Sequence, residues 1–312
     1  MNIAIDLMGG DFAPENVILG IKDFLEQKQF YGKVTAIGTE SAIYHARQEL
    51  KEYESIMHWV AAPDVIEMHE HPTKALKSKP HSSINEGFTL LATSHTDAFI
   101  SAGNTGAMMV GALYSIKSIP GVTRPAIGAY IPQEDGTLSL LIDVGLNADC
   151  KPENLVQFAI LGSLYSQHIL NIDNPRVALL NIGEEEGKGN ILCQTAYPLL
   201  KGCNRILFTG NAEGRDLLKN KADVYVCEGF TGNVMLKFAE SFYDIFKSHQ
   251  IKDEYLNRFN FEMYGGVPVL GVNKPVIIGH GISGATAFNN MLQIAERMIQ
   301  NNFIQTVTDA FV

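Results

Sequence analysis

Ala98-Phe99-Ile100-Ser101-Ala102-Gly103-Asn104-Thr105-Gly106-Ala107-Met108-Met109-Val110-Gly111-Ala112-Leu113-Tyr114-Ser115-Ile116-Lys117-Ser118 is the stretch that decides the fold class. Ala98–Ser101 reads as a short buried strand. A glycine-rich loop follows, and Gly106–Ser118 reads as a helix. The same order of strand, small-residue loop and helix recurs along the chain. Further candidate strands are Ile3–Leu7, Val34–Ile37, Met57–Val60, Ile127–Ile131, Ser139–Asp143, Val177–Asn181, Ile206–Thr209, Val224–Cys227 and Val276–Ile278. Further candidate helices are Glu15–Gln27, Glu40–Lys51, Ser83–Ser94, Glu153–His168, Asn190–Leu200, Thr231–Lys247 and Gly284–Asn302. Such alternation favours a mostly parallel sheet covered by helices on both faces.

Local signals agree. Ser83 stands three residues before Glu86, the spacing of a capping box. Pro152 opens a long apolar-periodic stretch, where its missing N–H costs nothing. Glu134-Asp135-Gly136-Thr137 reads as a hairpin turn that interrupts the strand–helix alternation. It either extends the sheet or makes a dimer contact. No internal repeat and no Pro/Gly/Ser linker divides the 312 residues. The expectation is one α/β domain over 1–312, with two intimately packed lobes as the alternative and no boundary marked.

Bulk properties narrow the class. The net charge of −10 gives no attraction to a phosphate backbone, so nucleic acid is not expected as a partner. Cys150, Cys193, Cys203 and Cys227 show neither C-x-x-C pairing nor zinc spacing, and read as small apolar fillers in a reducing compartment. The N-terminus enters a strand directly with no signal-peptide pattern. No apolar run of about 18 residues suits a membrane span. A cytoplasmic location is expected.

Glycines gather with small polar residues after strands: Met8–Asp11, Ser101–Gly106, Asp143–Asn147, Asn181–Glu186, Gly210–Arg215 and Gly279–Ser283. In an open parallel sheet the carboxyl ends of the strands line one crevice. Glycine lets backbone approach a ligand closely, and a helix start aims N–H groups at an anion. One such loop is equally a tight turn; several together favour a phosphate or oxyanion site. None is G-x-G-x-x-G or G-x-x-x-x-G-K-[ST], and no G-x-S-x-G or H-E-x-x-H occurs. No cofactor and no metal are expected. Asp143 and Asp149 are candidates for helix N-terminal charges or for catalysis, and for Glu184–Glu186 the helix-charge role outweighs catalysis. Arg215 is either a bidentate phosphate clamp or a surface partner of Glu213 or Asp216.

Several long stretches resemble the PlsX family of phosphate acyltransferases. They are Ile3–Pro14, Ser101–Ala107, Asp143–Gly162, Leu180–Asn190, Gly210–Asp216, Cys227–Lys237 and Tyr264–Val272. The likeness runs in order from Met1 to about Met291. It implies a homodimer with a three-layer α/β/α sandwich, similar to isocitrate and isopropylmalate dehydrogenases and to phosphotransacetylase. It implies transfer of a fatty acyl group from acyl carrier protein to inorganic phosphate, with the acyl phosphate feeding phospholipid synthesis through a membrane acyltransferase. Departures are Thr286 where the family usually has lysine, Leu146 where alanine is usual, and a shortened stretch between Lys237 and Tyr264. In the family that region carries paired helices with an apolar tip linked to membrane association. Its brevity here bears against a weak peripheral membrane contact, which stays an alternative, and not against the chemistry.

Phosphate is itself a nucleophile, so such a site needs only to hold an anion beside a thioester and stabilise the oxyanion. Asn104, Thr105 and His280 are the candidate catalytic residues. Asp6, Gly9, Gly10, Asp11, Ser101, Gly103, Gly106, Asn147, Asn181, Asn211, Arg215 and Asn233 are candidate substrate-binding residues. The four amides among these, Asn147, Asn181, Asn211 and Asn233, suit loop closure equally. Lys74, Lys77 and Lys79 form a basic segment with no acid between His71 and Asn85, either a solvated loop or a dock for acyl carrier protein. Two rivals stand beside this reading. One is a decarboxylating dehydrogenase on the same fold. The other is a non-catalytic scaffold for carrier protein or membrane, suggested by Phe238, Phe242 and Phe246 with Tyr243, Phe259 and Phe261 nearby. That aromatic stripe suits core or dimer interface better than membrane insertion.

Overall fold

The structure is a computed structural model that describes residues 1–27, 30–260 and 263–312. The chain runs β1 (Asn2–Asp6), α1 (Glu15–Gln27), β2 (Lys33–Gly38), α2 (Glu40–Glu49), β3 (Met57–Ala61), α3 (Pro72–Ser78), α4 (Ser83–Ala92), β4 (Ala98–Ser101) and α5 (Thr105–Gly111). It continues through β5 (Ala126–Pro132), β6 (Leu138–Ile142), α6 (Pro152–His168), β7 (Arg176–Asn181), α7 (Ile191–Lys201), β8 (Leu207–Glu213), β9 (Val224–Val226) and α8 (Gly229–Ser248). It closes with α9 (Glu254–Asn257), β10 (Val267–Leu270), β11 (Val276–Ile278), α10 (Ala285–Gln300) and α11 (Phe303–Phe311). Two compact units result. The first comprises Met1–Ser118 and Glu262–Ile304, the second Ile119–Phe261 and Gln305–Val312.

In the first unit the strand order is β3-β2-β1-β4-β11-β10. All neighbours are parallel except β10, which pairs antiparallel with β11. Ile3, Ala4, Ile5, Phe99 and Ile100 are wholly buried, as strands covered on both faces must be. Glycines let the covering helices come close. A Cβ on Gly20 of α1 would lie 2.4 Å from Phe288 Cβ of α10. Phe88 of α4 meets Phe99 of β4 edge to face at 5.1 Å.

The second unit orders its strands β5-β6-β9-β7-β8. β5 and β6 form the antiparallel hairpin expected at Glu134–Thr137, with Gly136 at φ +91°. It extends the sheet, since β6, β9, β7 and β8 follow it in parallel. Arg176 at the start of β7 grips Asp223 before β9 through Nε and Nη2, at 3.0 and 2.9 Å. Both units are mixed α/β sheets flanked by helices.

Some expectations shift. The cap of α4 is Ser82, whose Oγ accepts from Asn85 N–H at 3.4 Å, so the capping residue is one earlier than Ser83. Gly210–Glu213, expected as loop, continues β8; Gly210 takes φ +98° beside a register shift between Val177 and Leu179, as a β-bulge requires. The basic segment forms α3. Phe238, Phe242 and Phe246 form a row of ring contacts, with Phe259 against Phe242 at 5.8 Å. Phe238 is 59% exposed, so the row is not simply core. Phe261 lies outside the described residues.

Candidate active-site loops and family membership

In the first unit β1, β4 and β11 are parallel neighbours, so their C-terminal loops meet. Asp6 ends β1 and is 1% exposed. Its Oδ2 accepts from Ser101 Oγ at 2.7 Å and its Oδ1 from Met8 N–H at 2.8 Å. Burial pushes its carboxyl above the usual aspartate value, while bonds from Ser101, Ser83 and Met8 pull it down. Ser101 Oγ in turn accepts from Gly103 N–H at 3.0 Å. Gly9 must be glycine: a Cβ there would lie 2.8 Å from both Gly103 N and Ser101 Oγ. Gly10 takes φ +106°, and the exposed Asp11 donates its N–H to Gly281 O at 2.7 Å. His280 sits half-buried in that third loop, and the hydroxyl of Ser283, buried to 1%, finds no partner among the described residues.

Asn104 has a different task from the oxyanion donor expected of it. Its Nδ2 donates to the carbonyls of Glu67, Met68 and Glu70 at 3.0, 3.2 and 2.9 Å. Its Oδ1 caps α5 by accepting from Ala107 N–H at 2.9 Å. Both ends of the amide are consumed by backbone. Thr105 beside it is exposed, and Gly106 packs where a Cβ would meet Pro72 Cγ at 2.3 Å. Lys79 is likewise not the free docking charge expected. Its Nζ donates to Val65 O at 2.7 Å and to Glu70 at 2.5 Å, leaving only Lys74 and Lys77 exposed.

In the second unit the loops after β6, β9, β7 and β8 are brought together by parallel neighbours. Asp143 organises the first of them. Its two oxygens accept from the N–H groups of Ile127, Leu146 and Asn147 and from Asn147 Nδ2, at 2.7–3.2 Å. Burial raises its carboxyl against these donors. Asn147 Nδ2 also reaches Pro125 O at 2.8 Å, and Asn233 Nδ2 reaches Val144 O at 3.1 Å. Asn181 accepts from Ile182 N–H and donates to Lys188 O, at 2.8 and 3.1 Å. Asn211 donates to Glu185 O at 2.8 Å, but its buried Oδ1 has no donor among the described residues. Asn181 therefore closes its loop with both ends of its amide, and Asn147 closes its own through Nδ2. Arg215 is 69% exposed and binds Glu213 at 2.7 Å, the surface pair rather than a free clamp.

The loops after β7, β8 and β9 border a cavity of about 660 Å³. Leu155, Leu179, Leu192 and Met235 give it apolar walls; Asn181, Glu213, Arg215 and Thr231 give it polar ones. Sequence reasoning missed this cavity, because its apolar lining reads in sequence as ordinary core. Cys193 and Cys227 also line it, and Cys150 lies in the Asp143 loop region. Burial raises the Cys150 thiol to about 11 and lifts Cys193 and Cys227 as well. None of the three is poised as a thiolate nucleophile.

The family described as fatty acid synthesis protein matches residues 1–306. A phosphate acyltransferase of Dictyoglomus turgidum is 42% identical over 319 residues, covering 96% of this chain and 94% of that protein. One from Aquifex aeolicus is 42% identical over 324 residues, covering 97% and 94%. The chain belongs to the phosphate acyltransferase family. Members of this family are acyltransferases, and so is this chain. A phosphotransacetylase structure from Streptococcus pyogenes superposes with TM-score 0.68 at 17% identity, covering 96% of this chain and 94% of that one. At that identity the likeness speaks for the fold, and it makes the phosphate acyltransferase fold a phosphotransacetylase-like one.

Proposed function

We propose that this protein transfers a fatty acyl group from acyl carrier protein to inorganic phosphate, releasing an acyl phosphate for phospholipid synthesis. The observation that carries this reading is identity of about two residues in five with phosphate acyltransferases along nearly the whole chain. The sites support direct transfer. A phosphate oxygen attacks the thioester carbonyl, the C–O bond forms, the C–S bond breaks, and the carrier's thiolate takes up a proton on leaving. Raised thiol pKa values disfavour an acyl-cysteine intermediate, and close-packed glycine loops leave backbone near an anion.

Incubation with acyl–acyl carrier protein should release the free thiol of the carrier only when phosphate is present, with acyl phosphate formed in equal amount. Release of free fatty acid independent of phosphate would sink the reading.

We also assign the exposed face of α8 to a homodimer contact. Phe230, Val234, Phe238 and Ile245 recur on one side and are 49–67% exposed. No described helix is long and apolar enough to cross a membrane. Phe238→Glu should halve the mass seen by sedimentation. Flotation of the wild type with liposomes, without a dimer, would move this face to a membrane contact.

A further inference from the structure

Depth sorts the walls of the 660 Å³ cavity in the second unit. Its rim is built from strand ends and a helix start, and its polar groups are already engaged. Asn181 binds backbone on both sides, Glu213 binds Arg215, and Glu228 accepts from Thr231 N–H at 2.7 Å as the cap of α8. Leu179 precedes Asn181 by two residues on the same strand face, about 7 Å further into the sheet. Leu155 and Leu179 are at most 1% exposed yet border the space. Leu192 of α7 and Met235 of α8 form the side walls. Met235 is unbranched and reaches to 3.4 Å from where a Cβ on Gly214 would stand, so this wall adapts to what fills it.

We propose that this cavity takes the alkyl chain of the acyl donor, and that Leu192 and Met235 set the chain length it accepts. The proposal rests on the acyl-transfer reading above. A pantetheine arm carries amides that need partners, and the deep walls offer none. An alkyl chain asks only for apolar surface. The volume lies within the range of about 300–1,000 Å³ usual for small-molecule pockets. Each further buried methylene should tighten binding about three- to fourfold until the floor is met.

Cys193 lines the cavity and Cys203 does not, although both are half-buried. Alkylation of the two, followed by mass spectrometry, therefore reports occupancy without turnover. Uncleavable acyl thioether analogues should slow labelling of Cys193 relative to Cys203, increasingly with chain length up to a cut-off. Leu192→Trp and Met235→Trp, on separate helices, should each move the cut-off to shorter chains. Each should lower the long-to-short turnover ratio by about tenfold, the effect of roughly two buried methylenes. A Cys193-to-Cys203 labelling ratio that no analogue changes overturns the pocket, whether or not acyl phosphate is made. Protection without phosphate-dependent turnover keeps the pocket and removes the acyl-transfer reading. An unchanged cut-off in whichever variant folds overturns the role of that residue.

Discussion

Replacing Asn104 by alanine removes a helix cap and the shared partner of three carbonyls at once. The lost cap and the unsatisfied buried carbonyls together should cost about 2–4 kcal/mol. Asn104→Asp keeps the cap but turns an oxygen toward those carbonyls, so it should be no better than alanine. Urea titration checks both, and near-wild-type midpoints would return Asn104 to a role in chemistry. The residue type was legible in the sequence; its direction was not, because a Gly/Asn-rich loop looks the same whether it cradles a ligand or its own backbone. Cys150 gives a pH test. Its thiol sits near 11 in the fold against an ordinary value near 9.0. Alkylation should rise about tenfold per pH unit through pH 9 without levelling. The native state holds this proton longer than the unfolded state does. Its contribution to stability is therefore constant below about 9 and falls as pH rises toward about 11. A plateau in labelling near pH 9 would contradict the burial argument.

At the level of elements, glycine marks where helices meet loops. A Cβ on Gly232 of α8 would stand 1.8 Å from Asp143 O, so this helix can lie where it does only without a side chain there. Gly232→Ala should destabilise the protein by about 3 kcal/mol or more, at or above the usual range of over-packing. Gly187 meets nothing within 4 Å, and its alanine variant should stay within about 0.5 kcal/mol of wild type. Comparable midpoints for the two would mean that α8 shifts freely. Ten of the strands and most of the helices were legible because buried parallel strands read as short apolar runs between turn signals. β10 escaped because Pro268 and the preceding Gly265-Gly266 imitate a loop. α3 escaped because seven residues rich in lysine show no apolar period. The cavity walls escaped for the opposite reason: in sequence Leu155 and Leu179 differ in nothing from core leucines that touch no open space.

Across the whole molecule the charge of −10 opposes approach of an acidic partner, and the carrier protein in the proposed reaction is expected to be one. Encounter then needs a local basic surface. α3 supplies two exposed lysines, Lys74 and Lys77, while Lys79 is tied to Glu70 and Val65. This division separates docking from stability. Lys74→Glu with Lys77→Glu should raise KM for acyl–acyl carrier protein at low ionic strength, since exposed charges steer over about 10 Å at 0.1 M salt. The difference from wild type should shrink as salt is added. Turnover of a small acyl thioester without the carrier should change little. Lys79→Ala should behave in the reverse way, lowering the unfolding midpoint because the Glu67–Glu70 turn loses its ammonium, with a smaller effect on carrier KM. Equal losses by the double variant on carrier-bound and small thioesters, independent of salt, would place these lysines at the reaction itself rather than at the approach to it.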